Sequence, residues 1–365
     1  MRNNIKMMVV KLFLLTTFFS CTIVFPERET YTPAITNAQG EIIEDSIASL
    51  ESVEINGVDQ SLCIRGYSTE NPILLILHGG PGFALTGWRE TFITEELEKY
   101  YTVVLWDQRG AGRSFSGKLS SEDLSVDILV EDTYSLINYL RDRFKKEKIY
   151  LMGHSWGSGL GFLTMMEHED YPQLIEAYIS AGEAVNLVRR HERSFEWTLE
   201  QAYKRENIKA VKQLEKLKPF DPSITREIKI KNKWQDEFGG QIADKDEWDK
   251  IKSMGGKTPE YSPADMLLWL RGMAYSDKNL TEEINTSGYD LLTQFPRCEV
   301  PLFFFIGEQD FTTPGVYVEE YAETVNAPHV QIDYFSNAHF SFIVEEELFT
   351  EYMIDIRNRV ELEEW

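Results

Sequence analysis

Three residues that lie far apart in the sequence could together transfer an acyl group. Ser155 stands in a Gly-His-Ser-Trp-Gly segment, and Asp310 and His339 each follow a separate apolar run. In such a set the imidazole takes the proton of the hydroxyl, and the carboxylate holds the imidazole in one tautomer. The residue types and their order therefore predict a nucleophile, an acid and a base.

Ser155 lies at a predicted sharp turn between a strand and a helix. The run at residues 149–153 is strand-like, and Leu160, Leu163 and Met166 recur at helical spacing. A serine at such a turn is held in a strained backbone conformation with its hydroxyl exposed. The alternative is an ordinary glycine-rich turn in which Ser155 caps the helix.

A second glycine-rich segment could stabilise the oxyanion that forms during acyl transfer. The sequence His-Gly-Gly-Pro-Gly at residues 78–82 follows the apolar run at residues 73–77. Its glycines let the backbone turn N–H groups inward, and the amides of Gly80 and Trp156 together would form an oxyanion hole. A simple Gly-Pro turn is the alternative interpretation.

The acid and the base each have a competing interpretation. Glu308 follows the same strand-like run as Asp310, but Asp310 is preferred because it lies further into the loop. His339 could instead be a histidine whose hydrogen bonds are satisfied at a strand end. Its position just past the last apolar run favours the role of base.

The cysteines and histidines show no spacing that is typical of metal ligands. The chain has 3 Cys and 6 His residues, and the sequence predicts neither a metal nor another cofactor. Cys63 and Cys298 are predicted to be small buried apolar residues, while a disulfide between them stays open as an alternative.

Apolar runs alternate with helical patterns through most of the chain. The runs that predict strands are residues 53–58, 60–66, 73–77, 102–106, 149–153, 175–180, 301–306 and 330–335. Helices are predicted at residues 87–100, 126–144, 315–325 and 340–361. This alternation predicts an α/β fold with a mostly parallel, eight-stranded sheet that is flanked by helices. The three chemical residues then lie at carboxyl ends of strands, where ligand groups gather.

The N-terminal segment has the pattern of a targeting sequence. Residues 1–25 place basic residues before an apolar run, which predicts a signal peptide or a membrane anchor. Ser20-Cys21 is a candidate lipoprotein cleavage site within it. We therefore expect an exported protein that is secreted or attached to the membrane through its N-terminus; a buried N-terminal helix is the alternative.

The rest of the chain divides into a linker, a core and an insertion. Residues 26–48 lack periodicity and are predicted to be a linker, with folded structure beginning near Ser49. Residues 49–184 and 291–365 carry the strand and helix alternation of the core. Residues 185–290 are helical in composition, which predicts an inserted helical cap.

Composition limits the classes of partner. The chain has 365 residues with 37 Lys and Arg against 60 Asp and Glu, and its net charge is −23. Nucleic acid is excluded as a partner because its phosphates would be repelled. The aromatic content of 13% predicts a lined cavity, and the expected partner is a small molecule or a short peptide.

Three segments together resemble one known family. They are residues 78–82, the Trp-Asp-Gln-Arg-Gly-Ala-Gly-Arg-Ser segment at 106–114 and residues 153–158. They are similar to the proline iminopeptidase (prolyl aminopeptidase) branch of the α/β-hydrolase superfamily, over roughly residues 50–182 and 298–360. The resemblance implies an α/β-hydrolase fold and a serine hydrolase that removes an N-terminal residue, typically proline, from small peptides.

The resemblance also assigns roles to individual residues. It implies that Ser155 is the nucleophile, Asp310 the acid and His339 the base. It implies that Gly80 and Trp156 donate to the oxyanion. Asp107 and Arg109 match the second segment of the family, and we interpret them as a buried ion pair that braces the glycine loop from below.

The chain departs from the family pattern at three places. His154 replaces the glycine that is common before the serine, Asn337-Ala338 precedes His339 where a glycine is usual, and residues 181–184 lack an Arg-Gly pair. These departures leave the triad intact and concern the preference for proline.

An aminopeptidase must also bind a free ammonium group, usually with carboxylates. Glu183 at the predicted mouth of the site is the first candidate, and Glu192, Glu196 and Asp265 in the cap are further ones.

Two other functions share the same scaffold. A carboxylesterase or amidase would use the same triad with a different cap, and a non-enzymatic binding protein could keep the pocket. Dehalogenase and epoxide hydrolase chemistry is disfavoured because those enzymes use an aspartate where Ser155 stands.

Overall fold

The centre of the protein is a twisted sheet with helices on both sides. The computed structural model describes residues 29–363. Within them, eight strands form one sheet in the order β1-β2-β4-β3-β5-β6-β7-β8. The strands are β1 (Ile47–Ile55), β2 (Val58–Gly66), β3 (Ile73–Leu77), β4 (Thr102–Asp107), β5 (Ile149–His154), β6 (Ile175–Ala181), β7 (Leu302–Gly307) and β8 (Val330–Phe335).

Strand pairing follows the predicted pattern. The hairpin of β1 and β2 is antiparallel and joins β4 in antiparallel register, while the remaining neighbours pair in parallel. Asn56 and Gly57 turn the hairpin with positive φ angles of 46° and 78°, as a tight two-residue turn requires. All five residues of β3 are buried, because helices cover both faces of the sheet. The predicted α/β fold is thereby confirmed.

Thirteen α-helices surround the sheet in residues 29–363. They are α1 (Arg89–Phe92), α2 (Glu95–Tyr100), α3 (Val126–Phe144), α4 (Trp156–Glu167), α5 (Leu187–Lys204), α6 (Ile208–Leu214), α7 (Thr225–Glu237), α8 (Lys245–Met254), α9 (Pro263–Thr286), α10 (Leu291–Gln294), α11 (Val316–Thr324), α12 (Ser341–Val344) and α13 (Glu346–Leu362). Short 3₁₀ turns lie at Thr86–Trp88, Gly112–Ser114, Ser121–Asp123, Tyr171–Gln173 and Glu215–Leu217.

Two predicted helices are each broken in two. The helix expected at residues 87–100 stops at Ile93, whose backbone is extended. Thr94 then starts α2, because its side-chain oxygen accepts a hydrogen bond from the amide of Leu97. The helix expected at residues 340–361 divides at Glu345 into α12 and α13.

A helical cap lies between β6 and β7. Helices α5 to α9 occupy this interval, and Phe195, Leu199 and Trp234 belong to an apolar cluster of the cap's own. The later part of the cap is fixed to the core by polar contacts. The indole Nε1 of Trp269 donates to the carbonyl of Ala84 at 3.0 Å.

The folded part begins before Ser49, which corrects the predicted start. Thr32 and Ile35 are buried, and the Arg65 guanidinium of β2 donates to Thr32 Oγ1 at 2.7 Å. Part of the segment interpreted as a linker therefore lies against the core. The predicted signal peptide or anchor at residues 1–25 lies outside the described residues. Between residues 29 and 363, no helix combines the length and the apolar character that a bilayer crossing demands.

The predicted ion pair of Asp107 and Arg109 is wrong. Arg109 pairs instead with Asp132 of α3, with Nε to Oδ2 at 2.6 Å and Nη2 to Oδ1 at 2.9 Å. Asp107 accepts hydrogen bonds from Thr86 Oγ1 at 2.7 Å and from the hydroxyl of Tyr261 in the cap. The two side chains contact different partners because β4 ends at Asp107 and the chain leaves the sheet before Arg109.

The two described cysteines carry free thiols. Cys63 in β2 and Cys298 before β7 are both buried and form no disulfide. Burial raises the pKa of the Cys63 thiol to about 12. The prediction that both are small buried residues is confirmed.

Candidate active site

Ser155 occupies a strained turn between β5 and α4. Its φ and ψ angles are 55° and −121°, a region that residues other than glycine rarely adopt. The turn needs glycine on both sides of Ser155 because the backbones approach closely there. A Cβ on Gly157 would lie 2.2 Å from the carbonyl oxygen of Leu77, and a Cβ on Gly153 would lie 2.4 Å from the carbonyl oxygen of Gly157. The elbow thus brings α4 against the sheet and projects Ser155 beyond its edge.

The three side chains singled out by the sequence meet at this edge. His339 Nε2 lies 2.8 Å from Ser155 Oγ, and His339 Nδ1 lies 2.7 Å from Asp310 Oδ2. Asp310 follows β7 and His339 follows β8, so each comes from the carboxyl end of its strand. Both Asp310 and His339 are 4% exposed, so little solvent reaches the contact between them.

The carboxylate of Asp310 is fixed by several donors. The amides of Thr312 and Thr313 donate to Oδ1 at 2.7 and 2.9 Å, and the Thr313 hydroxyl donates to Oδ2 at 2.6 Å. Burial alone would raise the pKa of Asp310, but the neighbouring His339 ring and these hydrogen bonds hold the pKa below its ordinary value. Glu308, the competing acid, is exposed.

The predicted oxyanion donors lie beside Ser155. Gly80 and Trp156 line the same cavity as the serine. Trp156 is the first residue of α4, where an amide has no acceptor within its own helix. Gly80 has a φ of 117°, and a Cβ there would lie 2.7 Å from the amide nitrogen of Phe83. The loop conformation therefore requires glycine at this position.

His78 holds the loop that carries Gly80. The Gln108 amide lies 3.2 Å from His78 Nε2, and His78 Nδ1 lies 3.0 Å from the carbonyl oxygen of Gly79. An amide only donates, so Nε2 accepts and the neutral ring carries its proton on Nδ1. Burial lowers the pKa of His78 to about 4, which keeps the ring in this form.

His154 contacts the backbone of His339. Its Nε2 lies 2.9 Å from the carbonyl oxygen of His339, so this nitrogen carries the proton and donates. The ring packs against Phe342 with centroids 4.8 Å apart. Burial, together with His339, lowers the pKa of His154 to about 3. In the sequence this residue stands out only as a departure from the family pattern.

Two cavities meet at Ser155. The first is mostly apolar, measures about 490 Å³ and is lined by residues that include Phe83, Leu163, Leu187, Ile228, Leu270 and Met273. The second is more polar, measures about 710 Å³ and is lined by residues that include Arg205, Lys233, Asp236, Glu237, Lys252 and His339. Arg190 and Asn232 line both.

The structure places the predicted ammonium binders away from these cavities. Glu183 is buried, and its Oε1 accepts from the Tyr289 hydroxyl at 3.0 Å and its Oε2 from Ser180 at 2.9 Å. Burial raises the pKa of Glu183. Tyr289 lines the first cavity, but Glu183 lines neither. Of the further candidates, Glu192 and Glu196 are exposed and Asp265 pairs with Arg113 at 3.0 Å.

Asp236 is one of three cap acids that line the cavities, with Glu237 in the polar cavity and Asp277 in the apolar one. It lines the polar cavity together with His339 and Thr312. Burial raises the pKa of Asp236, while Lys231 and His339 act in the opposite direction. Nothing in the sequence distinguishes it from the many other acidic residues of the cap helices.

The described residues show no site built for a metal. Among residues 29–363, no three His, Cys, Asp or Glu side chains converge in the way that metal ligands do. The arrangement around Ser155 instead offers a hydroxyl, an imidazole, a carboxylate and two amides, the set of groups that acyl transfer uses.

Comparison with known proteins identifies the family. Residues 72–346 match the model of the α/β-hydrolase fold family, and the chain belongs to it. Within this family the chain is similar to proteins of the proline iminopeptidase type. It is 30% identical over 321 residues to the "Probable aminopeptidase YbaC" of Bacillus subtilis (strain 168), and the match covers 83% of this chain and 94% of that protein.

Other matches agree with this placement. The proline iminopeptidase of Arabidopsis thaliana is 36% identical over 97 residues, which are 27% of this chain and 23% of that protein. Among solved structures, the proline iminopeptidase of Mycobacterium smegmatis aligns with a TM-score of 0.61 at 15% identity, over 86% of this chain and 99% of that chain. A proline iminopeptidase-related protein of Thermus thermophilus aligns with a TM-score of 0.54 at 23% identity, over 84% and 96%. These two likenesses show the shared fold.

Proposed function

We propose that this protein is a serine hydrolase that acts by acyl transfer through Ser155, His339 and Asp310. We further propose that it is an aminopeptidase of the proline iminopeptidase type, which releases N-terminal residues from small peptides. The observation that carries the proposal is the continuous chain of contacts from Ser155 Oγ through the His339 ring to Asp310, at 2.8 and 2.7 Å.

The geometry supports a specific sequence of steps. His339 Nε2 takes the proton of Ser155 as the hydroxyl oxygen attacks the scissile carbonyl, and Asp310 stabilises the imidazolium that forms. The amides of Gly80 and Trp156 donate to the tetrahedral oxyanion. The imidazolium then protonates the leaving amine, and a water molecule activated by the same ring releases the acyl group from Ser155.

Two features support an aminopeptidase in particular. The Bacillus subtilis relative carries that activity in its name and aligns along most of both chains. Asp236 lines the cavity that also contains His339 and Ser155, so a carboxylate is available to an ammonium group close to the scissile bond. Asp236 replaces Glu183 as the residue that we propose for this contact.

A carboxylesterase or amidase is the second candidate. The mostly apolar cavity of about 490 Å³ beside Ser155 could accept an uncharged acyl chain. Both functions need the same triad, so the substrate decides between them.

A substrate panel separates the two candidates. Purified protein is assayed on proline arylamide, other aminoacyl arylamides and short acyl esters, with Ser155→Ala as the control for every activity. Cleavage of arylamides that is lost in Ser155→Ala supports the aminopeptidase. Turnover of acyl esters with no arylamide cleavage would replace it by the esterase. A folded protein that a fluorophosphonate probe does not label would refute both.

The identity of the acid is tested by a matched pair of variants. We expect Asp310→Asn to lower kcat by roughly 10⁴-fold, because the imidazole then loses the carboxylate that fixes its tautomer. Glu308→Gln, which changes the exposed carboxylate two residues earlier, keeps kcat near that of the wild type. The reverse ranking in steady-state kinetics would overturn the assignment of Asp310.

A further inference from the structure

Arg190 stands at the junction of the two cavities. It belongs to α5 of the cap and, like Ser155, lines both the apolar and the polar cavity. Its guanidinium is therefore a cation within reach of any substrate that occupies the site. The relay of Ser155, His339 and Asp310 makes no use of it.

Three buried arginines of this protein are neutralised by carboxylates. Arg65 is bonded to both oxygens of Glu98, Arg89 to Glu260, and Arg109 to both oxygens of Asp132. This is the usual state of an arginine in a protein interior, since an uncompensated charge is costly to bury.

Arg190 differs from these residues. None of the ion pairs in residues 29–363 includes it. Its Nε is enclosed without a hydrogen-bond partner, and its Nη2 lies 3.1 Å from His191 Nε2. A guanidinium only donates, so His191 accepts with a neutral ring and orients Arg190 without neutralising it.

We propose that Arg190 binds a carboxylate of the substrate. A planar guanidinium matches a carboxylate with two parallel hydrogen bonds. Asp310 and Glu183 act on Arg190 only through their charge, so the bound anion would be its one directly bonded carboxylate among the described residues. This inference rests on the proposed function and deepens it: in a dipeptide the free C-terminal carboxylate is only a few bonds from the scissile carbonyl. The substrate class is therefore dipeptides with a free carboxyl terminus.

The charges of the polar cavity suit such a substrate. Asp236 and Arg190 both line this cavity together with Ser155 and His339. A dipeptide is a zwitterion, and its ammonium and carboxylate groups would face Asp236 and Arg190 respectively. A longer peptide carries its carboxylate further from the scissile bond and would leave Arg190 without an anion.

The first test compares a dipeptide with its C-terminal amide. We expect wild-type protein to cleave Pro-Ala with a kcat/KM at least about tenfold higher than that for Pro-Ala amide, the effect of one charged hydrogen-bonded contact. In Arg190→Gln this ratio falls to about one. Arg190→Lys gives an intermediate ratio, because the positive charge remains but the two parallel N–H donors of the guanidinium are lost. Arg193→Gln removes an equal charge from the exposed side of α5, where Arg193 pairs with Glu196 at 3.7 Å, and keeps the wild-type ratio. A ratio near one in the wild type overturns the proposal.

The second test does not depend on turnover. Binding of Pro-Ala and Pro-Ala amide to Ser155→Ala is measured by calorimetry, with Ser155→Ala/Arg190→Gln beside it. Tighter binding of the free dipeptide that is lost in the double variant supports the carboxylate site. If the wild type nevertheless cleaves no peptide, only the aminopeptidase proposal is refuted. Equal binding of both ligands refutes the carboxylate site while peptide cleavage still supports the aminopeptidase.

Discussion

At the scale of single residues, Thr313 connects Asp310 and His339, the proposed acid and base. Its hydroxyl donates to Asp310 Oδ2 at 2.6 Å, and its Oγ1 lies 3.2 Å from His339 Nδ1. It therefore contacts both groups whose alignment the proton transfer needs. Because the substrate cavities are lined by other residues, Thr313 should affect the chemical step and not substrate binding.

We expect Thr313→Val to lower kcat about tenfold, because the carboxylate loses one buried hydrogen bond, and to leave KM unchanged. Steady-state kinetics on the best substrate of the panel measures both. Thr133→Val is the matched control, since this buried threonine donates to the Leu129 carbonyl at 2.7 Å in α3, away from the site. An unchanged kcat in Thr313→Val would show that Thr313 does not position the acid.

His78 and His154 make the stability of the fold depend on pH. Their folded pKa values are lowered to about 4 and about 3, whereas histidine in an unfolded chain has a pKa of about 6.5. Below pH 6.5 the unfolded chain thus binds protons that the folded chain does not. The contribution of neutral histidine to stability is complete above this pH and is lost as the pH falls toward 4.

We expect the free energy of unfolding to decrease from pH 7 to pH 4.5, with His78 alone contributing up to about 3 kcal/mol by pH 4, at ~1.4 kcal/mol per pKa unit. Urea unfolding at several pH values measures this slope. In His154→Phe, whose new ring faces Phe340 and Phe342, the slope should be shallower. Identical slopes in variant and wild type would contradict the pKa shift of His154.

Some residues of the candidate site can be predicted from the sequence and others cannot. Ser155, Asp310 and His339 could be predicted because each lies just beyond an apolar run, and parallel strands bring their carboxyl ends to one edge. Asp236 and Arg190 could not, because they come from helices whose position over the sheet is decided by packing of the cap. The place of Glu183 after β6 predicts a side chain at the mouth of the site, but that side chain turns inward to Ser180 and Tyr289.

At the scale of elements, the elbow between β5 and α4 depends on close backbone contact. A Cβ at Gly157 would meet the carbonyl oxygens of Leu77 and His78 at 2.2 and 2.7 Å. Backbone atoms of a buried strand cannot move aside as the end of a flexible side chain can. The fit of α4 against β3 therefore has no room for a methyl group.

We expect Gly157→Ala to lower the free energy of unfolding by about 3 kcal/mol or more, at the upper end of single substitutions. Gly159→Ala in the same helix is the matched control, because its Cβ would find only ordinary contacts with Tyr289 at 3.8 Å and beyond, and alanine favours a helix. Urea unfolding of both variants is the measurement. Equal stability of the two would mean that the elbow tolerates a wider separation.

The bounds of helices and strands can be predicted where the sequence pattern that sets them is local. β8 has the bounds that its apolar run predicts, residues 330–335. The helix expected at residues 87–100 breaks because Thr94 caps a new helix. The spacing of apolar residues alone does not show where one helix ends and the next begins. Arg109 finds Asp132 of α3, a partner 23 residues away, which a short motif cannot disclose.

At the scale of the whole molecule, Glu260 ties three parts of the chain together. This residue before α9 is fully buried, and its Oε1 accepts from Arg89 Nε of α1 and from Thr32 Oγ1, each at 2.7 Å. Cap, core and N-terminal segment therefore share one carboxylate. Glu260 is 228 residues from Thr32 and 171 from Arg89, so the local sequence before Ser49 does not indicate that this segment packs against the core.

We expect Glu260→Gln to destabilise the fold by about 3 kcal/mol, because a neutral amide no longer compensates the charge of the buried Arg89 guanidinium. Glu90→Gln is the matched control: Glu90 pairs with the same arginine at 2.9 Å but is 49% exposed, so its loss should cost below about 1 kcal/mol. Thermal or urea unfolding compares the two. Similar losses from both variants would show that Glu260 is not a junction of the fold.

The free thiols of Cys63 and Cys298 supply a built-in reporter of breathing motions. Both are enclosed, and Cys63 sits in β2, which pairs with strands on either side. A thiol-modifying reagent can therefore reach Cys63 only after the segments packed over this face of the sheet move aside. With Cys21 replaced by serine, the rate of alkylation at each of the two thiols, read by mass spectrometry of peptides, would record how often the segments around it open under native conditions, without any denaturant.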